Sequence, residues 1–130
     1  MDEKKRLTLE QLIAARDKKE AVMTRVEEFE IPSLDGTLAF KCPSDPMLFD
    51  MINALAEDQS MERITDEMAK VIYGCCDQLH DQELYEALEV GDPVNVVFEI
   101  MGAGDIIQVG DKVCSMNPLY SEIEDQVKNA

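Results

Sequence analysis

Between Arg25 and Cys42 the apolar residues of this chain alternate with polar ones. Phe29 and Ile31 alternate with Glu28 and Glu30, and Leu38, Phe40 and Cys42 with Ala39 and Lys41. A period of two is the mark of a strand with one buried face, so this stretch predicts two strands. Ser33-Leu34-Asp35-Gly36 separates them, and Asp-Gly predicts a tight type I′ turn, with Pro32 ending the first strand or placing it at an edge. A lone hairpin is marginal in water and must cover its apolar face with something else. The rest of the sequence offers only helices for that purpose. The fold class follows as α+β, mostly α: an N-terminal helix, one β-hairpin, then a bundle of about five short helices.

The helical segments are read from spacings of three and four. Residues 7–23 predict a first helix, capped by Thr8, with Leu9, Leu12, Ile13 and Arg16 on one face and Arg16, Lys18 and Lys19 toward its C-terminal end, where cations suit the helix dipole. Its apolar stripe is narrow and short, so it needs a partner surface. Ser44 or Asp45, with Pro46, opens a helix whose stripe is Leu48, Met51, Ile52 and Leu55. Ser60 opens the clearest one, with Met61, Ile64, Met68, Val71 and Cys75 in register and Gly74 in its last turn. Residues 81–89 predict a shorter helix that buries Leu84 and Leu88 and stops at Gly91. Asp92-Pro93 starts another, carrying Val94, Val97, Phe98 and Met101. Gly102-Ala103-Gly104 breaks it, and residues 105–116 form the last, with Ile106, Val109, Val113 and Met116.

Three parts result: the N-terminal helix over residues 1–24, joined through a candidate hinge at Val22–Arg25; one compact hairpin-plus-helices domain over 25–118; and an acidic tail over 119–130, expected to fray. A chain of 130 residues suits one core. No apolar run approaches the roughly 18–20 residues that span a bilayer, and the charged stretch Met1–Arg6 leads into no secretory signal, so a cytoplasmic protein without a membrane partner is expected.

Charge narrows the partners. Against 28 acidic residues stand 12 basic ones, for a formal net charge of −16. The first 25 residues hold seven basic and five acidic groups; the remainder holds five and 23. Nucleic acid is therefore not an expected partner, since phosphate binding draws on clustered Lys and Arg. The same charge keeps a free protein soluble and opposes self-packing, so any self-association is expected to tighten as salt screens the repulsion.

No motif for chemistry emerges. Cys42, Cys75, Cys76 and Cys114 contain no Cys-x-x-Cys pair, and His80 is the single histidine, so the cysteines read as buried or half-buried thiols and no metal or cofactor is expected. Gly102-Ala103-Gly104 lacks the third glycine of a nucleotide loop, because position 107 is Ile. A dyad of His80 with Cys75 or Cys76 would put the nucleophile on a buried stripe, where apolar surroundings raise a thiol's pKa. Met51, Met61, Met68 and Met101 fall on helix stripes and read as core.

The element order, together with Leu9-Glu10-Gln11-Leu12-Ile13, Phe29-Glu30-Ile31-Pro32-Ser33-Leu34-Asp35-Gly36 and Val71-Ile72-Tyr73-Gly74-Cys75, resembles the XkdN-like tail-assembly chaperones of phages and prophages in Gram-positive bacteria. Pro43-Ser44, Leu79-His80-Asp81-Gln82-Glu83-Leu84, Asp92-Pro93 and Val96-Val97 extend the resemblance to about Pro118. It implies a non-enzymatic protein of the bacterial host cytoplasm that coats the long tape measure protein, is displaced as tail tube protein subunits assemble, and is absent from the finished virion. Leu9, Leu12 and Ile13 are then the candidate partner-binding residues, facing a neighbouring copy or the tape measure protein. The competing expectation is a small acidic inhibitor, a decoy mimicking nucleic acid; it needs acids gathered on one surface, whereas here they are spread over every element after Arg25.

Overall fold

The computed structural model describes residues 6–128, with side chains through residue 124; the charged head at residues 1–5 and the last two residues of the tail lie outside that range. Helix α1 (Leu9–Met23) leads into strands β1 (Val26–Ile31) and β2 (Gly36–Lys41), followed by α2 (Asp45–Glu57), α3 (Met61–Cys75), α4 (Gln82–Ala87), α5 (Asn95–Ile100), α6 (Ala103–Cys114) and α7 (Leu119–Lys128). This is the expected α+β class, mostly α.

The strands pair antiparallel, Val26 opposite Lys41 and Ile31 opposite Gly36. That register puts Phe29, Ile31, Leu38 and Phe40 on one face, where Ile31 and Phe40 are fully buried and the Phe29 and Phe40 rings lie 5.8 Å apart. The opposite face carries Glu28, Glu30, Thr37 and Lys41, all exposed. The connection differs from the expected tight turn. Pro32–Leu34 form a single 3-10 turn, Asp35 takes the left-handed conformation (φ 51°, ψ 45°), and Gly36 already belongs to β2. Proline starts such a turn readily, since its φ fits and its missing N–H is not needed there. Asp tolerates the left-handed region, so the glycine is not required to supply it. The Ser33 N–H donates to Asp105 Oδ2 (3.1 Å), tying the turn to α6.

Helices α3 and α6 form the largest helix–helix contact. Met68, Val71 and Ile72 on α3 and Ile106, Val109 and Val113 on α6 are all buried, and Gly110 lets α6 approach Met68 closely. Glu67, buried on α3, pairs with Lys70 Nζ (2.9 Å) and more loosely with Arg63 (3.9 Å). The hairpin packs on this pair through β1 against α6 and β2 against α3.

Local starts and stops largely follow the sequence. Thr8, Ser44, Ser60 and Asp81 cap α1, α2, α3 and α4 by accepting backbone N–H groups. Several details differ. Met101 and Gly102 separate α5 from α6; Ala103 and Gly104 are helical. Helix α4 ends at Ala87 rather than at Gly91; just beyond it Glu89 takes a left-handed φ of 54°, its N–H reaching back to the Glu86 carbonyl and that of Val90 to Tyr85. Leu84 and Leu88 are half-buried, and on α5 it is Val96 and Val97 that are buried while Phe98 is exposed. Met51, Met68 and Met101 are core, but Met61 is 64% exposed, because the first residue of α3 precedes the point where that helix meets its neighbours. In α1 the last turn holds Glu20 and no basic residue, so Lys18 and Lys19 fall short of the dipole's C-terminal end.

The largest correction concerns the chain beyond Pro118. Instead of a frayed tail it is α7, a sixth helix after the hairpin, with Tyr120 buried and Leu119 and Ile123 packed on the core. Asn117, almost wholly buried, holds its start. Asn117 Nδ2 donates to the Pro43 carbonyl (3.0 Å) and to Asp45 Oδ1 (2.8 Å), and Asn117 Oδ1 accepts the Leu119 N–H (2.9 Å). The Tyr120 hydroxyl donates to Asp111 Oδ1 (2.7 Å); burial first, and then that carboxylate, push its pKa up.

Candidate functional site

The residues singled out from sequence lie on α1, and the structure brings them together on one side of its first turns. Thr8 and Gln11 close a reciprocal cap: the Thr8 N–H donates to Gln11 Oε1 (2.9 Å), and the Gln11 N–H to Thr8 Oγ1 (3.2 Å). With that end secured, Leu9, Leu12 and Ile13 share a face and stand 74%, 52% and 47% exposed. No residue of α1 is buried. Arg16 occupies the next turn of this face and Lys19 flanks it, so the apolar patch grades into a basic one. At the other end Val22 and Met23 are half-buried, and Met23 packs on the core. The junction itself is well bonded. The Thr24 N–H and hydroxyl both donate to the Glu20 carbonyl (2.9 and 2.8 Å), and the Arg25 N–H to Val22 (3.3 Å). The Cys42 N–H then joins the Arg25 carbonyl (3.2 Å), so the root of α1 continues directly into the hairpin ladder.

A second apolar feature was not singled out from sequence. Asp58-Gln59-Ser60 reverses the chain between α2 and α3, so that the C-terminal half of α2 lies beside the N-terminal half of α3. Between them Ile52, Leu55, Ala56, Gln59 and Ile64 line a groove of about 260 Å³. Ile52, Leu55 and Ile64 had counted as core stripe, yet all three are half-buried. Phe49, one turn before Ile52, is 52% exposed. Around this oily strip the charge is one-sided: residues 45–67 hold seven acids and a single arginine. Glu57, Asp58 and Glu62 beside the groove are exposed, and the Ser60 backbone and side-chain hydrogen bonds hold the Asp58 carboxyl below its ordinary pKa.

The lone histidine is engaged structurally. His80 Nε2 lies 2.6 Å from the Tyr73 carbonyl oxygen, and its ring rests on that of Tyr73 with centroids 4.3 Å apart. Tyr73 and Tyr85 share a hydrogen bond between their hydroxyls; burial first and that bond second push the Tyr73 pKa up to about 12. The four cysteines are free and buried, as expected for inert thiols. Burial pushes the Cys75 and Cys114 thiols up to about 12, and raises Cys42 and Cys76 too. Cys75 Sγ points to Met47 Sδ (3.8 Å) and Cys114 Sγ to Met51 Sδ (3.9 Å), while His80 Nε2 is engaged by the Tyr73 carbonyl rather than by Cys75 or Cys76. A thiol held protonated is a poor nucleophile.

Among the described residues, no three His, Cys, Asp or Glu side chains gather as a metal ion would need, and no helix is long and apolar enough to cross a membrane. Two surface features stand out: one bare helix, apolar and mildly basic, and one apolar groove flanked by acids. The chain matches no model of a known protein family, no curated protein and no solved structure.

Proposed function

We propose that this protein works by reversible binding rather than catalysis, as a tail-assembly chaperone that coats a tape measure protein in the bacterial cytoplasm and gives way to tail tube protein before the virion is finished. The observation that carries the reading is α1: fifteen residues long, with Leu9, Leu12 and Ile13 in water and none of its residues buried. Isolated helices of about 12–15 residues are marginal in water, so an element of this kind is useful where it docks. The resemblance in element order and in the segments around Leu9, Phe29 and Val71 supplies the identity of the partner. High net charge suits a protein that must stay soluble while carrying apolar contacts.

The test is a pull-down of the tape measure protein encoded beside this chain. Deleting residues 1–22 removes the exposed stripe and leaves the hairpin and helix core, so a folded truncation is expected to lose at least about tenfold in capture, roughly 1.4 kcal/mol. Unchanged capture by that truncation eliminates α1 as the docking element. No capture by the full chain eliminates the chaperone reading itself, and inhibition of a DNA-binding protein would favour the acidic decoy instead.

A further inference from the structure

We infer that α1 of one copy seats in the α2–α3 groove of a second copy, with Leu9, Leu12 and Ile13 entering the strip lined by Ile52, Leu55, Ala56 and Ile64. This deepens the reading above by naming what α1 docks on, and rests on that reading only for the purpose of the contact.

Both halves of the contact are present, and among the described residues neither is covered. The helix presents three aliphatic side chains in about one and a half turns; the groove presents the aliphatic walls of Ile52, Leu55, Ala56 and Ile64 around about 260 Å³. Amphipathic helices recognise such grooves through residues at these spacings. The signs of charge match. Residues 6–25 hold five basic and three acidic groups, whereas residues 45–67 hold one and seven. Two copies that each carry −16 repel as wholes, so a self-contact must join surfaces of locally opposite sign and add apolar burial; this pair does both.

The chain's own geometry argues for a second copy rather than a closed monomer. The root of α1 lies at the opposite end of the α2–α3 pair from the groove: Met23 and Thr24 border Pro43, Met47, Gly74 and Cys75, where α2 starts and α3 ends. At 1.5 Å per residue, the thirteen residues of α2 span about 20 Å. Folding α1 back over that length would have to break the bonds that Thr24 and Arg25 make to the Glu20 and Val22 carbonyls. A second copy meets α1 as it stands. The contact joins unlike surfaces, so a pair either closes by reciprocal exchange or keeps a free helix and a free groove at its ends and propagates.

The experiment uses the full chain alone, by light scattering across a concentration series at about 0.15 M salt, where the screening length is about 8 Å. The mass is expected to rise with concentration from the 14.6 kDa monomer to at least twice that. Leu12→Asp places a carboxylate against the acidic rim, and Ala56→Glu fills the groove. Both residues are exposed, so folding is spared, and circular dichroism checks it. Each variant alone is expected to self-associate at least about tenfold more weakly. Mixed, they are expected to form a one-to-one pair, because the first keeps its groove and the second its helix. A wild-type chain that stays monomeric throughout, whether with α1 free or folded onto its own groove, overturns the inference. So do variants that associate like wild type, or a mixture that does not pair. The chain's capture of the tape measure protein is a separate readout, so self-association without capture sinks the chaperone reading and leaves this contact standing.

Discussion

Gly110→Leu is expected to destabilise the fold by at least about 3 kcal/mol, enough to move the urea midpoint sharply or abolish a cooperative transition. Gly110 is buried where α6 crosses α3, and a Cβ at that position would lie 2.8 Å from both Cβ and Sδ of Met68. Met68 Cβ follows its backbone, so relief requires the two helices to move apart, and with them the packing among Ile72, Ile106, Val109 and Val113. Overpacking a close-packed core costs about 1–3 kcal/mol or more, and a leucine adds three carbons beyond the one that already collides. Gly74→Ala is the control. There a Cβ would meet the Met47 methyl at 2.9 Å, the far end of a flexible side chain that can turn aside. Alanine gains about 1 kcal/mol over glycine in a helix interior, so this variant is expected to sit within about 1 kcal/mol of wild type. Urea unfolding of the two, read by circular dichroism, checks the pair. Similar midpoints would show that α3 and α6 do not approach through Gly110 as described.

Asn117→Ala is expected to cost about 2–3 kcal/mol and to release α7. The side chain makes three hydrogen bonds from an almost fully buried position, to the Pro43 carbonyl, to Asp45 and from the Leu119 N–H. Truncation leaves the carbonyl and the amide without those partners, and each orphaned buried polar group costs about 1–3 kcal/mol. The partners join the start of α7 to the start of α2, so the loss is local first. Limited proteolysis is expected to cut after Pro118 in the variant and not in the wild type, and the wild-type rate of cleavage in the variant would contradict this role for Asn117.

The hairpin was legible because a two-residue period has no helical reading, and the helices through their spacing and through Thr8, Ser44 and Ser60 at their starts. The hairpin loop was not, since Pro32 and Asp35 each had a conformation available that made Gly36 unnecessary. Helix α7 is hard to read from sequence for a different reason. Leu119, Tyr120 and Ile123 are diluted by acids, and the groups that hold them, Asn117 and Asp111, act across the fold rather than along it. Likewise apolar spacing on α2 and α3 revealed a face but not whether anything covers it, so Ile52, Leu55 and Ile64 read as core while they line an open groove. On α1 the opposite held: the stripe of Leu9, Leu12 and Ile13 was too short to close a core, and these side chains are exposed in the fold.

No residue of α1 is buried in its own chain, and the contact proposed for it lies on a second copy. Amide hydrogen exchange across residues 9–23, followed from dilute to concentrated protein, tests it most directly. In dilute solution these amides are expected to exchange within seconds while those of α3 and α6 stay protected, and protection of α1 is expected to appear as concentration rises. Full protection of α1 at every dilution would contradict the account, because it would mean that the helix is already packed within the monomer.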